Sequence, residues 1–234
     1  MPSGSEVWFQ IAHNGPCPYL DGGEWIAYCL YTRNTAPAIY ESLINSGFRR
    51  NGFSIYKNIC PNCDACLPVK VDAANFKPSK SQRRVLKKNR DVIVRRHPTC
   101  FDAEGFLLYR KYCHLRHGHI PREEEYSAFL IESPVPGEMM RYYLGRRLVG
   151  VGWIDVLPDS LSSVYFAYDP DFSARSLGVF SVMKEIELCA ATGKSWLQLG
   201  FWVGRNRKMS YKNRYRPCYL LVDNKWRPAG NRPP

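Results

Sequence analysis

Between Met139 and Trp202 this chain carries the pattern that most restricts its fold. The run MMRYYLG-RRL-VGVGWIDVLPD-SLSSVYFAYDP is expected to form three strands, joined first through Gly145-Arg146-Arg147 and then through Pro158-Asp159. A helix should follow from about Ala174 to Ala191. Leu177, Phe180, Met183, Ile186 and Ala190 form one stripe at helical spacing there, and Gly193 ends it. A strand (SWLQLGFW), a short basic helix around Arg207 to Asn213 and a last strand (CYLLVD) complete the order.

The first 75 residues have another texture, rich in Cys, Pro, Gly and aromatics. Ala36 to Ser46 reads as a helix that buries Ile39, Leu43 and Ile44 and stops at Gly47, while FSIYKNIC and CLPVKVDA read as strands. Ser79 followed by Gln82 makes a capping box, so a helix should run over 79–90 with only Val85 and Leu86 as apolar anchors. Residues 101–132 read as two helices broken near HGHIP. The expected organisation is an N-terminal cysteine-containing domain over 1–75 and a second domain over 76–234 that includes the basic helix.

A net charge of +12 is large for 234 residues, and it is concentrated. Residues 77–96 hold nine Lys or Arg against one Asp, and 205–216 hold six with no acid. Charge packed in this way releases counterions from a polyphosphate, which makes nucleic acid the expected partner. Lys80, Arg83, Arg84, Lys87 and Lys88 on the basic helix are the expected contacts to an RNA backbone; a solvated charged face is the alternative.

The N-terminus has no basic head followed by an apolar run, and no window approaches a membrane span, so a soluble, cytoplasmic protein without membrane contact is expected. Cysteines in that compartment are mostly reduced, and Cys60, Cys63 and Cys66 fall at two-residue intervals. Zinc and iron–sulfur sites usually take four thiolates; Cys17 and Cys29 are the candidates for the fourth, and spacing does not separate the two metals. Three thiols in a Pro-rich turn that bind nothing are the alternative. Cys100, Cys113, Cys189 and Cys218 stand alone and are expected to be buried as small apolar groups.

The strand and helix order resembles the GCN5-related acyltransferase (GNAT) fold, an α/β (α+β) class in which a helix N-terminus after the central strand cradles an anionic cofactor. Arg175-Ser-Leu-Gly178-Val-Phe180 matches the first half of that fold's motif but puts Phe where a small residue is needed. Coenzyme A is therefore not expected.

Three ordered blocks resemble one family across Cys17 to about Pro217. They are CPYL with CPNCDACLPVKV, FKPSKSQRRVLKKN, and FAYDPDFSARSLGVFSVMKEIE with LGFWVGRNRKMSYKNRYRP. The family is the arginyl-tRNA-protein transferases, in their bacterial branch of aspartate/glutamate leucyltransferases. The resemblance implies transfer of leucine from leucyl-tRNA to proteins that begin with Asp or Glu, which marks them for N-end-rule degradation. It also places Cys17 in the family's Cys-Pro-Tyr-Leu block. Rival readings are the same transfer with arginine from arginyl-tRNA, a GNAT-type acyl-CoA N-acyltransferase, and a non-catalytic RNA-binding module.

The same resemblance nominates site residues. Tyr168 and Asp169 belong to a Tyr-Asp-Pro block, where Asp169 either orients the attacking amine or caps a turn. Lys208, Tyr211 and Lys212 fill a Lys-Met-x-Tyr-Lys block, whose lysines hold either the acceptor carboxylate or the tRNA terminus. Arg175 and Gly178 are expected at the substrate, with Phe166, Phe201 and Trp202 either walling a leucyl pocket or packing the core. Tyr168, Asp169 and Tyr211 are the expected catalytic residues. Gln198 and Gly204-Arg205-Asn206 depart from the family pattern near the donor pocket.

Overall fold

The computed structural model describes residues 9–230, built on two sheets. The first contains β1 (Phe9–Pro16), β2 (Glu24–Tyr31), β3 (Arg49–Asn51) and β4 (Ser54–Asn58), ordered β1-β2-β4-β3 and antiparallel throughout. Helix α1 (Pro37–Asn45) links β2 to β3 and buries Tyr40 and Ile44.

The second sheet has eight strands. β5 (Leu67–Asp72) enters it, followed by α2 (Lys80–Lys88), β6 (Val92–Pro98), α3 (Ala103–His117) and α4 (Glu123–Tyr126), which runs into a wide π turn at Ser127–Ile131. Then come β7 (Gly137–Leu144), β8 (Arg147–Val156) and β9 (Ser160–Tyr168), a 3-10 turn at Pro170–Arg175, α5 (Leu177–Ala191) and β10 (Trp196–Trp202). A 3-10 turn at Ser210–Arg214, β11 (Cys218–Val222) and β12 (Lys225–Pro228) finish the chain, and the spatial order is β12-β11-β5-β10-β9-β8-β7-β6. This is the mixed α/β arrangement expected from the order of elements.

Several details differ from the expectation. The helix around Ala174 begins at Leu177, because Ser176 adopts a left-handed φ of 56° that separates it from the preceding turn. The basic helix around Arg207 is a single 3-10 turn. The segment CLPVKVDA, assigned with the first 75 residues, lies as β5 between β10 and β11 in the larger sheet, with Val69 and Val71 buried. β1, β2, β3, β6 and β12 carry no pattern that announces them; β6 hides in a basic run whose alternating Val92 and Val94 face the core.

The functional geometry starts with one parallel pair. β10 runs beside β9 for only three residues, Trp196↔Ser160, Leu197↔Leu161 and Gln198↔Ser162. Beyond this point β10 stays with β5 and β9 stays with β8, so the sheet opens into a V. The cause is local: β10 shifts register between Gln198 and Phe201, and Gly200 takes φ +80°, which bends the strand away. Helix α5 closes one face with Leu177, Phe180, Met183 and Ile186, with α2 packed against it through Val85 and Leu86. Helix α3 covers the other face with Phe106, Tyr109 and Cys113 over Trp153 and Ala167.

At Gly52, φ is +57° and an added Cβ would lie 2.0 Å from the carbonyl oxygen of Ala128. Both the backbone conformation and the clash oppose a side chain, so Gly52→Ala should cost about 2–4 kcal/mol. A urea midpoint equal to that of the parent protein would contradict this account. No helix among the described residues is long and apolar enough to cross a membrane.

Candidate active site at the split strand pair

Two faces meet where β9 and β10 separate. On one side Arg49 reaches from β3 into the opening, donating to Ser162 Oγ (3.3 Å) and to the Ser163 carbonyl (2.6 Å). Gly200 lies beside it, where a Cβ would be in ordinary contact at 3.4 Å from Arg49 Nε, so it is the positive φ and not the space that calls for glycine. Tyr56, opposite Arg49 in the β3–β4 ladder, packs its ring 6.2 Å from Phe201.

Lys212 lies on this side too. Its 3-10 turn is tied down by Trp202 Nε1 donating to the Ser210 carbonyl (3.0 Å), and the preceding loop by Asn206 Nδ2 donating to the Tyr19 carbonyl (2.8 Å). The residue is half-buried, but its ammonium is enclosed: burial, reinforced by the Arg49 charge and opposed by Cys66, pushes it down to about 7.

On the other face α5 contributes Glu185, which is 0% exposed and has no hydrogen-bond partner among the described residues for either carboxylate oxygen. Burial pushes its carboxyl up to about 8 from the usual 4.5, against a lowering influence from Ser163. Tyr142, Tyr211 and Tyr215 all feel its charge. Tyr211 is 36% exposed as a residue, while burial of its hydroxyl pushes that group up to about 12. An aromatic wall leads inward: Tyr112 lies 5.1 Å from Tyr168, Tyr168 stacks on Phe166 at 6.2 Å and 22°, and Phe166 meets Tyr142 at 5.4 Å. Gly150 allows Phe166 that position, since a Cβ there would be 2.9 Å from the ring.

The outer end of β9 is held by charge. Asp169 accepts from Lys111 Nζ (2.6 Å), Arg147 Nη2 (2.6 Å) and the Asp171 amide (3.2 Å), so its oxygens serve the turn. Burial works against ionisation there, yet the Lys111 and Arg147 donors hold the carboxyl below its usual range. Arg116 donates to the Tyr168 hydroxyl, and His117 Nε2 lies 3.3 Å from the Tyr165 hydroxyl. Burial, then the Lys208 and Arg116 charges, lower His117, which places Lys208 near the end of α3.

The residues nominated from sequence thus fall into separate groups. Tyr168, Tyr211 and Phe166 share the Glu185 face, Phe201 and Lys212 share the Arg49 face, and Lys208 and Asp169 stand on the rim. Arg175 and Gly178 belong with the basic helix instead. Arg175 pairs with Asp91 (2.8 Å), its carbonyl accepts from Asn89 Nδ2 (2.9 Å), and Lys88 Nζ donates to the Ala174 carbonyl (2.6 Å). Gly178 faces open space at the first turn of α5. Lys80, Arg83, Arg84, Lys87 and Lys88 are all exposed, and a groove of about 580 Å³ is lined by Arg84, Lys87, Lys88, Arg90 and Asp91.

Cys17, Cys60, Cys63 and Cys66 line one pocket of about 580 Å³ together with Asp64 and Arg205, and Cys29 is not among its walls. The donor set suits zinc or an iron–sulfur cluster, but no three His, Cys, Asp or Glu side chains among the described residues converge closely enough to hold a metal ion. Of the isolated cysteines, Cys113, Cys189 and Cys218 are buried as expected; Cys100 is exposed, because it follows the end of β6 where the chain leaves the sheet.

Sequence reasoning misses Glu185 and Arg49. Glu185 leaves a faint signal, since Ser181, Glu185 and Cys189 form an i, i+4 row that is buried on a helix otherwise read by its apolar stripe. Arg49 leaves none. Because Glu185 gains protons on folding, the fold loses stability as pH rises from about 4.5 to about 8. Glu185→Gln removes this loss, so its melting temperature should gain about 5 °C or more on the parent protein between pH 5 and pH 8. A difference that stays constant across that range would refute the assignment.

The family description "Arginine-tRNA-protein transferase, N terminus" matches residues 15–84, and the corresponding C-terminus description matches 104–222. An aspartate/glutamate leucyltransferase of Shewanella oneidensis is 39% identical over 90% of this chain and 90% of its own length. Another, from Thiobacillus denitrificans, is 42% identical over 80% of each. Among solved structures, FemX overlays on 88% of this chain and 82% of its own with a TM-score of 0.48 and 10% identity, too loose a likeness to speak to function. With both family descriptions matched in order and identity this high over nearly the whole length, the chain belongs to the arginine-tRNA-protein transferase family, among the aspartate/glutamate leucyltransferases.

Proposed function

We propose that this protein is an aminoacyltransferase that moves leucine from leucyl-tRNA to the α-amino group of proteins beginning with Asp or Glu, marking them for N-end-rule degradation. Its place of work is the cytoplasm, where charged tRNA is found. The observation that carries the reading is the 39% identity to a leucyltransferase over 90% of both chains. The geometry supports it: a basic helix suited to phosphates abuts α5, and an aromatic wall suited to an apolar side chain lines the split of the sheet.

The chemistry asks little of the protein. The acceptor amine attacks the carbonyl carbon of the leucyl ester, the carbon–oxygen bond to the ribose breaks, the amine loses a proton and the ribose oxygen gains one. The ester is already activated, so alignment and stabilisation of the developing oxyanion suffice. An α-ammonium has a reference pKa of about 7.7–8.0, close to where Glu185 titrates, which suits Glu185 to exchanging a proton or hydrogen bond with an amine.

One observation favours arginine as the donor, namely a carboxyl beside the aromatic wall. At neutral pH, however, Glu185 is mostly protonated and offers a guanidinium no full negative charge, so leucine is the preferred donor. Incubating the protein with leucyl-tRNA or arginyl-tRNA and peptides beginning with Asp, Glu, Ala or Lys tests the reading. Transfer of leucine to the acidic peptides alone is expected, and no transfer from either donor would sink it.

The four-cysteine pocket is proposed as the seat of zinc or an iron–sulfur cluster, held by Cys17, Cys60, Cys63 and Cys66 and bracing the fold, with no step of the transfer routed through it. Elemental analysis of the purified protein should find zinc or iron near stoichiometry. A metal-free preparation with full activity would remove the proposal.

A further inference from the structure

Arg49 and Arg50 are neighbours on β3 and are buried to nearly the same degree, 8% and 7% exposed, yet only one of them is neutralised. Arg50 pairs with Asp155 at 2.6 Å. Arg49 donates only to neutral oxygens, those of Ser162 and Ser163, and no carboxylate among the described residues lies within ion-pair distance of it. Lys212 faces the same corner with no carboxylate paired to it among the described residues; the Arg49 charge works against its ammonium and the Cys66 thiol works for it.

Keeping a buried guanidinium without a counter-ion beside an ammonium whose charge burial already opposes is costly, because each has lost water and the two repel. A protein that folds with such a corner is built to receive negative charge from outside. The corner is also well placed: it lies beside Gly200, where β10 bends away, and Ser163, whose carbonyl Arg49 holds, is the first β9 residue past the split. Across the sheet from it stand Glu185 and the aromatic wall.

Resting on the transfer reading above, we propose that Arg49 and Lys212 form the subsite that takes the side-chain carboxylate of the acceptor's N-terminal Asp or Glu. A carboxylate accepting from the guanidinium fork and the ammonium would fix the acceptor on the first-sheet side of the split, with its α-amine directed past Ser163 toward a leucyl ester on the aromatic side. Asn and Gln termini are rejected because an amide leaves the two cations unbalanced and turns an N–H toward them. The first sheet thereby acquires a role in specificity, separate from the basic helix that meets RNA.

The test uses the full chain, leucyl-tRNA and four peptides identical except for an N-terminal Asp, Glu, Asn or Gln. Lys212→Met keeps the aliphatic stem and lies on a half-buried turn, so it should fold; Arg49→Lys keeps the charge and loses the fork. Both should lower the Asp-over-Asn ratio of kcat/KM by about a hundredfold or more, mostly through the acceptor KM, while leucyl-tRNA affinity stays within about twofold. An unchanged ratio in Lys212→Met, with wild-type transfer intact, overturns the subsite. So does a loss of leucyl-tRNA affinity with the acceptor KM unchanged, which would assign the corner to the tRNA terminus. Should Arg49→Lys fail to fold, Lys212→Met alone decides. Absence of wild-type transfer to any acidic peptide would instead refute the transferase reading, so the two failures are distinguishable.

Discussion

Asp155→Ala should destabilise the protein by about 3–5 kcal/mol, enough to unfold much of it near body temperature. Asp155 is 0% exposed and accepts from Arg50 through two nitrogens, Nη2 at 2.6 Å and Nε at 2.9 Å, while Arg50 Nη1 reaches the Glu132 carbonyl at 3.3 Å. The pair ties β3 of the first sheet to β8 of the second. Burial alone would disfavour the charged guanidinium; Asp155 reverses this and raises Arg50. Removing only the acid leaves a positive charge buried, next to Arg49 and near Lys212, where the repulsion is worst. Replacing both partners with apolar residues, Arg50→Met with Asp155→Leu, should recover most of the loss, because no stranded charge is left. Thermal and urea unfolding of the three proteins measures this, and a single variant within 1 kcal/mol of the parent, a span of about fivefold in the folding equilibrium, would show that the bridge is dispensable.

Neutralising Lys80, Arg84 and Lys87 together should weaken tRNA binding about a hundredfold at 0.1 M salt and flatten the slope of log affinity against log salt by about 2. These side chains are exposed on α2, and none forms an ion pair among the described residues, so removing them subtracts charge without unsettling the fold. Lys88 and Arg83 are excluded because they donate to the Ala174 and Pro78 carbonyls. Filter binding across a salt series supplies both numbers. Affinity lost with an unchanged slope would mean that the helix acts through structure and not through phosphate contacts. The Asp-over-Asn acceptor ratio should be indifferent to these substitutions, which separates the RNA surface from the Arg49 corner.

The basic helix is legible in the amino-acid sequence because its determinants are local. Ser79 accepts from the Gln82 amide (3.3 Å) and Gln82 accepts from the Ser79 amide (2.8 Å), a reciprocal cap between residues three apart. The strands from β7 to β9 and helix α5 are legible for the same reason, since periodicity and turn residues are properties of neighbours along the chain. Family motifs nominate Tyr168, Phe166 and Tyr211, and the fold draws all three to the Glu185 face. Asp169 carries two possible roles in the sequence, and in the fold its oxygens are occupied by Lys111, Arg147 and the turn it caps.

What the chain does not announce is where a strand will leave its partner or which charge will be left without one. Arg49 meets Ser162 across 113 residues and Arg50 meets Asp155 across 105, and the two arginines look identical in the sequence. The sequence by itself determined the order of elements from β7 to β11, the capped basic helix, the family and hence the reaction class. Only the tertiary structure decided that β9 and β10 part after three residues and that, among the described residues, Glu185 lies unpartnered beneath the split and Arg49 stands above it without an acid. The physical reason is the same in each case: burial and the loss of water are set by surfaces brought together from distant parts of the chain, and an ionisable group acquires its chemistry from them.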